Sequence, residues 1–458
     1  MNFKQFYLGC LSHASYYMGS GDEAAVIDPQ RDVQQYLDEA AANGQTIKYV
    51  IETHSHADFV SGHVELAAKT GAQIIYGERA NTKFPTLKVK NGDELNVGSV
   101  KLKFLGTPGH TPEGITVVAE EADDGVRVPK MFTGDTLFIG DVGRPDLIGS
   151  KGFTAEEMAG MLYDSLHEKI LTYPDETEVY PAHGAGSLCG KSLSKETWST
   201  LGEQRKFNYA LQPMSKDEFV RIVAANQPEV PPYFQKSAAK NLEGSAALTE
   251  IETPREMSSE EVRSFDGVVI DVRDAQAYGE AHIPNSININ LGGQFASWAG
   301  TLVQIGASIA IAAETQEQID EAVTRLARVG HESVKGFILT GNDTGVKTEV
   351  EQISVGEVNE LLNVGTPFQF VDVRRPTERE NGFAPTTINI PLDKLAAGFE
   401  TLDPSIPTYV ICQSGYRSSI GTGVLENAGF KTIYNVTGGT AAWIAAGLPV
   451  GQTAAKAA

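Results

Sequence analysis

The feature that most constrains this chain is an internal duplication. Asp271-Val-Arg273, followed by Ile283-Pro-Asn-Ser-Ile-Asn288, returns 101 residues later as Asp372-Val-Arg374, followed by Ala384-Pro-Thr-Thr-Ile-Asn389. The C-terminal half is therefore a tandem copy of a unit about 100 residues long. In each copy a β-branched run (Val268-Val-Ile-Asp271; Phe370-Val-Asp372) leads through a Pro-containing turn to another strand, then to a helical stretch ending at Gly330 or Gly429. Strands alternating with helices predict a doubly wound parallel sheet in both copies.

Upstream, residues 228–246 contain Pro231-Pro232, Gly244 and Ser245 among polar residues and read as a connector. At about 150 residues per domain, 458 residues suit three domains, here 1–240, 245–345 and 350–458. The first opens with short strands (Phe6 to Leu8; Glu23 to Asp28), a helix from about Val33 to Asn43 and the strand Tyr49 to Thr53. It lacks the long period, so it is a different α/β fold.

Lys and Arg number 37 against 59 Asp and Glu, a formal charge of −22, which repels phosphate backbones and anionic headgroups. Nucleic acid and membrane surfaces are excluded as expected partners. Met1 to Gly19 shows no basic segment followed by an apolar one, and no apolar run approaches ~18 residues, so a soluble, cytoplasmic protein is expected. Three cysteines, Cys10, Cys189 and Cys412, are too few and too scattered for a disulfide framework. Any cysteine that works here works as a thiol.

The strand Lys48 to Glu52 delivers Thr53-His54-Ser-His56-Ala-Asp58, three potential metal ligands within five residues. Further on come Gly109-His110-Thr111, Thr133-Gly134-Asp135-Thr136 and Pro181-Ala182-His183-Gly184, each at the end of a β-rich run. Imidazoles and carboxylates at four separated turns converge only if the fold builds a metal pocket. In this order the motifs resemble the metallo-β-lactamase superfamily over about Met1 to Gln212, which implies an αββα sandwich. Two-zinc members usually carry a histidine directly after the motif's aspartate, where this chain has Phe59.

Gly143-Arg144-Pro-Asp146, His167-Glu-Lys169 and Tyr180-Pro-Ala-His183 further resemble the persulfide dioxygenase branch. That resemblance implies one Fe(II) per chain on His54, His110 and Asp135, a 2-His-1-carboxylate set with positions left for O₂ and a substrate sulfur. His56, Asp58 and His183 would orient ligands and waters, or complete a second metal site. Arg144 and Tyr180 are candidate substrate anchors, with a surface salt bridge as the alternative for the arginine. Cys189 follows His183 by six positions, with Lys191 near enough in sequence to stabilise a thiolate. The alternative is an inert loop cysteine. Cys10 carries no charge signal and reads as packing.

Cys412 ends the strand Thr408 to Cys412 and opens a loop, Gln413, Ser414, Gly415, Tyr416 and Arg417, ahead of a helix from about Ser418 to Ala428. Backbone N–H groups wrapped round a thiol at a helix N-terminus favour the thiolate, and Arg417 adds a positive charge for an anionic donor. This loop, Asp372-Val-Arg374 and Val436-Thr-Gly438-Gly439 with Trp443 resemble rhodanese domains over roughly Ser354 to Gly451. The first copy has Ser308-Ile-Ala-Ile-Ala-Ala313 where the cysteine strand should be, so it implies a spacer or docking surface, with Arg273 and Arg374 as structural ion-pair residues.

Together the resemblances imply oxidation of a low-molecular-weight thiol persulfide by O₂ to sulfite, with sulfur transfer to or from thiosulfate, in a homo-oligomer. Two alternatives remain at this point. One is a glyoxalase II-like thioesterase with a binuclear metal site; the other is a sensor in which Cys412 takes up sulfur as a signal.

Overall fold

In a computed structural model describing residues 1–121, 128–147, 152–191, 193–227 and 229–452, two units separate. The first is Met1–Ile251 with Leu326–Gly330; the second is Glu252–Arg325 with His331–Ala458. No helix among the described residues is long and apolar enough to cross a membrane.

The first unit holds two six-stranded sheets. One runs in chain order through Asn2–Leu8, His13–Ser20, Glu23–Ile27, Thr46–Ile51, Gln73–Gly77 and Leu87–Val89. Its first three strands pair antiparallel and the rest parallel. The other runs through Glu94–Val97, Val100–Gly106, Ile115–Glu121, Lys130–Gly134, Glu178–Pro181 and Ser199–Thr200, with one parallel pairing, Lys130–Gly134 on Glu178–Pro181.

Every residue of His13–Ser20 is buried, because both faces of that strand are covered. Tyr16, Met18, Ile27 and Ile51 meet Phe104, Val117, Phe132 and Tyr180 of the opposite sheet. On the other face Tyr17, Val26 and Val50 pack with Tyr36 and Leu66 of helices Gln34–Asn43 and His63–Thr70. Beyond the second sheet, Val118, Met131 and Val179 meet Ala159, Leu162 and Leu166 of helix Ala155–Glu168. Helices therefore sandwich the sheets in the expected αββα order, and parallel strands point their C-terminal ends at one edge, where ligand sites form.

The expected connector is not one. Within residues 228–246, whose Pro228 lies outside the described residues, Phe234–Glu243 is a helix that belongs to the first unit, which closes at Ile251 rather than near residue 240. The buried Asn241 donates to the carbonyls of His56 and Phe59 (2.8 Å each) and accepts from the Ser61 amide (2.8 Å). The polar composition that suggested a linker includes this side chain, which satisfies the backbone of the histidine loop.

The second unit holds two five-stranded sheets, all parallel, ordered first, fifth, fourth, second and third strand of each copy. The duplicated motif is a duplicated polar network. Arg273 grips Asp271 (2.6 Å) and Arg374 grips Asp372 (2.9 Å), all four buried. The amide of Asn288 donates to the carbonyls of Asp271 and Arg273, and that of Asn389 to those of Asp372 and Arg374. Strand, turn and next strand are locked together in the same way twice.

Replacing Asn241 by Ala strands three buried backbone groups. Equilibrium denaturation is expected to show a loss of about 3 kcal/mol; a loss under about 0.5 kcal/mol would show that the helix does not hold the histidine loop.

Candidate metal centre and sulfur loop

Four strand ends of the first unit supply the predicted donors. His54 follows Thr46–Ile51, His110 follows Val100–Gly106, Asp135 follows Lys130–Gly134 and His183 follows Glu178–Pro181. Gly134 has φ +52°, and a Cβ there would lie 2.5 Å from Thr53 Oγ1, so the turn that presents Asp135 requires glycine.

His110 Nε2 lies 3.3 Å from Asp135 Oδ2 and His54 Nε2 3.8 Å from it, while His183 Nε2 lies 3.6 Å from Asp135 Oδ1 and 3.4 Å from Asp58 Oδ2. The hydrogen bonds at each Nδ1 fix what the Nε2 atoms can do. His110 Nδ1 donates to the Arg144 carbonyl (2.8 Å) and His183 Nδ1 to the Ser12 carbonyl (3.2 Å), since a carbonyl only accepts. Thr53 Oγ1 gives its proton to Asp28 Oδ2 (2.9 Å) and so accepts from His54 Nδ1 (3.0 Å). The Nε2 lone pairs of His54 and His110 are left facing Asp135.

His54 Nε2 and both Asp135 oxygens are buried without a hydrogen-bond partner. Orphaned donors of this kind, buried at one point, are costly unless a cation fills the gap. His54, His110 and Asp135 offer atoms within 4.8 Å of one another, a set that fits a metal with one carboxylate and two imidazoles. Burial, reinforced by the neighbouring histidines, holds His54 far below the ordinary histidine range and so in the neutral, ligating form.

His56, Asp58 and His183 also offer atoms within 4.8 Å of one another, and the buried His56 Nδ1 has no hydrogen-bond partner, while its other ring nitrogen faces two acids. Its Nε2 is 3.0 Å from Asp28 Oδ1 and 3.5 Å from Glu52 Oε2. Burial opposes its charge, yet Asp28 and Glu52 raise it to about 9. Glu52, pushed up by burial to about 8, is further held by Ser61 Oγ (2.5 Å) and lies 3.4 Å from His63 Nδ1. Phe59 is buried, its ring centroid 4.0 Å from His13 and 4.5 Å from His56. The Phe59 ring thus packs against the imidazoles of His13 and His56, and His13 in turn lies 5.6 Å from His183. Asp28, Glu52, His13 and His63 were not singled out in the sequence; only Asp28, ahead of Pro29 at a strand end, carries a local signal.

Cys189 is buried and shares a 4.8 Å cluster with Asp135 and His183. Burial, then Asp58 and Asp135, push its thiol up to about 12. Lys191 does not counter this, because its Nζ is spent on the carbonyls of Ile222 (3.0 Å) and Val223 (3.2 Å).

Two expected substrate anchors are corrected. Arg144 is buried, with Nε and a terminal nitrogen on Asp146 (2.7 and 2.8 Å) and the other on the Leu188 carbonyl (3.1 Å). Its amide donates to the Cys189 carbonyl (2.9 Å) and its carbonyl receives His110 Nδ1, so it ties the Cys189 loop to a metal donor. Tyr180 lies in the core between the sheets, 4.9 Å from the Phe3 ring, and donates to Glu178 (2.9 Å). A strand side chain on that face points away from the site. The approach to the site is instead a cleft of about 950 Å³ lined by Ser55, His110, Thr111, Phe234, Ala238 and Leu242, the last three from the helix that the linker reading hid.

In the second unit the buried Cys412 Sγ accepts from the Gly415 amide (3.1 Å) and from Ser418 Oγ (3.4 Å). Gln413 and Ser414 form the exposed rim, and Tyr416 begins helix Tyr416–Asn427, two residues earlier than expected. Arg417 does not stand as a free charge for a donor: its guanidinium is bidentate on Glu378 (2.7 and 2.6 Å). In the first copy the strand Ile309–Ala313 ends without a thiol.

The metallo-β-lactamase superfamily model matches residues 8–183, and the rhodanese-like domain matches 254–341 and 354–446. The chain belongs to the metallo-β-lactamase superfamily, in a form that carries two rhodanese-like domains after the metal-binding one. Within that family it is similar to the human mitochondrial persulfide dioxygenase ETHE1, 32% identical over 219 residues, 46% of this chain and 75% of that protein. It is also similar to a hydroxyacylglutathione hydrolase of Polaromonas sp., 34% identical over 225 residues, 44% of this chain and 80% of that one. A solved metallo-β-lactamase structure from Staphylococcus aureus is 34% identical, covers 74% of this chain and 99% of its own, and superposes with a TM-score of 0.67.

Because the Tyr180 hydroxyl is spent on Glu178 of its own strand, Tyr180→Phe is expected to change KM for a persulfide, the substrate proposed below, less than twofold and stability by about 1 kcal/mol. Steady-state kinetics showing a tenfold rise in KM at unchanged stability would restore it as an anchor.

Proposed function

We propose that the first unit is a mononuclear non-haem Fe(II) persulfide dioxygenase and that Cys412 of the second carries sulfane sulfur to or from thiosulfate. The observation that carries this reading is the facing set of His54 Nε2, His110 Nε2 and the Asp135 carboxylate, with the Phe59 ring where two-metal relatives usually place a ligand. Ferrous iron held there would supply the redox chemistry that O₂ requires. The net reaction is RSSH + O₂ + H₂O → RSH + SO₃²⁻ + 2 H⁺. The cleft beside Phe234 and Leu242 takes the thiol carrier, and the Thr53 hydroxyl and the Arg144 carbonyl hold the two imidazoles in their ligating tautomers. Cys189 lies beside Asp135 and His183, but burial and the two acids hold it as a thiol, so in this reading Cys412 is the sulfur carrier.

At Cys412 the thiolate attacks the outer sulfur of thiosulfate, the S–S bond breaks and sulfite leaves with the bonding electrons, so that a persulfide remains on the loop. In reverse, sulfite made by the first unit takes that sulfur and leaves as thiosulfate. Both steps suit a cytoplasmic homo-oligomer that clears sulfide-derived persulfides.

A binuclear thioesterase is the second reading, favoured by the likeness to hydroxyacylglutathione hydrolases and by the Asp58, Asp135 and His183 donors. His110→Ala tests whether the metal site and the Cys412 site work independently. It is expected to abolish persulfide-dependent O₂ uptake, measured with an electrode, while thiosulfate:thiol sulfur transfer stays within twofold; loss of both in a folded protein contradicts independent sites. Thioester hydrolysis by the wild type with no O₂ uptake would decide for the second reading.

Cys412→Ser is expected to remove sulfur transfer completely with a change in stability of about 0.5 kcal/mol or less, because serine keeps the loop but is too weak an acid to be the nucleophile. Assays of both anions during persulfide oxidation should find free sulfite in place of thiosulfate. Continued thiosulfate formation, corrected for the spontaneous reaction, would assign the transfer to another residue, Cys189 first.

A further inference from the structure

The proposed function leaves the cysteine-less copy without a task, and the packing within the second unit supplies one. Helix Tyr416–Asn427, which carries the sulfur loop at its N-terminus, turns a single stripe of residues toward that copy: Tyr416, Ser419, Gly423 and Glu426. Tyr416 donates to the Asn290 carbonyl (3.1 Å), and Ser419 Oγ donates to Asn288 Oδ1 (2.6 Å) in a fully buried contact. A Cβ on Gly423 would lie 2.9 Å from the Ser286 carbonyl, and the Glu426 carboxylate is 2.9 Å from His282 Nε2.

The anchoring side is itself fixed. Asn288 is held by its amide on the carbonyls of Asp271 and Arg273, and Arg325 donates to the carbonyls of Leu291 (2.6 Å) and Gly293 (2.9 Å). Gly293 lies directly under the Tyr416 ring, where a Cβ would come 2.5 Å from Cε2. The two groups that hold Cys412 Sγ, the Gly415 amide and the Ser418 hydroxyl, each immediately precede an anchored residue, Tyr416 and Ser419. To move either anchor is to move a donor.

We propose that the cysteine-less copy is the positioning half of the sulfur-transfer site: through Asn288, Asn290 and Gly293 it sets where the Gly415 amide and Ser418 hydroxyl stand around Cys412. This rests on Cys412 being the sulfur carrier. Asn288 and Gly293 are positioning residues, far in sequence from the thiol and in a copy that cannot do thiol chemistry.

The test uses the full chain and a single-turnover burst of sulfite released from thiosulfate. Gly293→Ala drives a methyl into the Tyr416 ring; the burst rate and kcat are expected to fall about tenfold with KM within twofold, while iron content, O₂ uptake and thermal midpoint hold. In a Tyr416→Ala background, where the ring is gone, Gly293→Ala should add nothing, the signature of direct coupling. Should Gly293→Ala lack a cooperative thermal transition, Ser419→Ala reads the second anchor, the contact with Asn288, and is expected to slow the burst about threefold. Unchanged bursts in these variants, or a Gly293→Ala effect of equal size with and without the ring, overturn the proposal. A wild type without any burst instead overturns the reading of Cys412.

Discussion

The structure of the first unit depends on one carboxylate. Asp135 faces the Nε2 atoms of His54, His110 and His183 at 3.3 to 3.8 Å, and neither of its oxygens has a hydrogen-bond partner in the protein. A buried anion left that way costs several kcal/mol, so the site is a fold-level commitment to a cation. The surrounding architecture keeps that commitment: four strand ends arrive at one edge, the Nδ1 hydrogen bonds choose the tautomers, and Asn241 and Arg144 tie down the loops. None of these residues needs to touch substrate to matter, since a loosened supporting group typically costs 10- to 100-fold in metal affinity.

The proposed count of one metal rests in part on residues that motif spacing does not reveal. His56 stands in the histidine motif yet serves Asp28 and Glu52, a buried acid pair that draws its Nε2 away from Asp135. Phe59 and His13 pack beside it, their rings tilted at 40°. The Nε2 of His56 serves that acid pair while its buried Nδ1 stays without a partner beside Asp58 and His183, and Asp58 and Asp135 together hold His183 well above the ordinary histidine range despite its burial.

The sequence made the αββα order, the duplicated parallel sheets and the convergence of His54, His110, Asp135 and His183 legible, because strand-end motifs and a long exact period are local signals. What it hid was long-range. Asn241 looks like one polar residue in a Pro- and Gly-punctuated stretch until the helix brings it to the histidine loop. Tyr180 sits three residues before His183, but strand alternation turns its ring into the core. Arg144 and Arg417 read as available cations because pairing with Asp146 and Glu378 is a property of turns rather than of composition. Lys191 failed for the same reason: adjacency in sequence to Cys189 says nothing of where a long side chain ends.

The central claim of the proposed function is a single redox metal on His54, His110 and Asp135. The most direct measurement loads the wild-type chain anaerobically, counts its metal, and follows O₂ consumption and sulfite release on adding glutathione persulfide. The account predicts about one iron per chain and one O₂ consumed per sulfite formed, with no uptake when the persulfide is omitted. Two tightly bound zinc ions per chain, with thioester hydrolysis and no O₂ uptake, would contradict it.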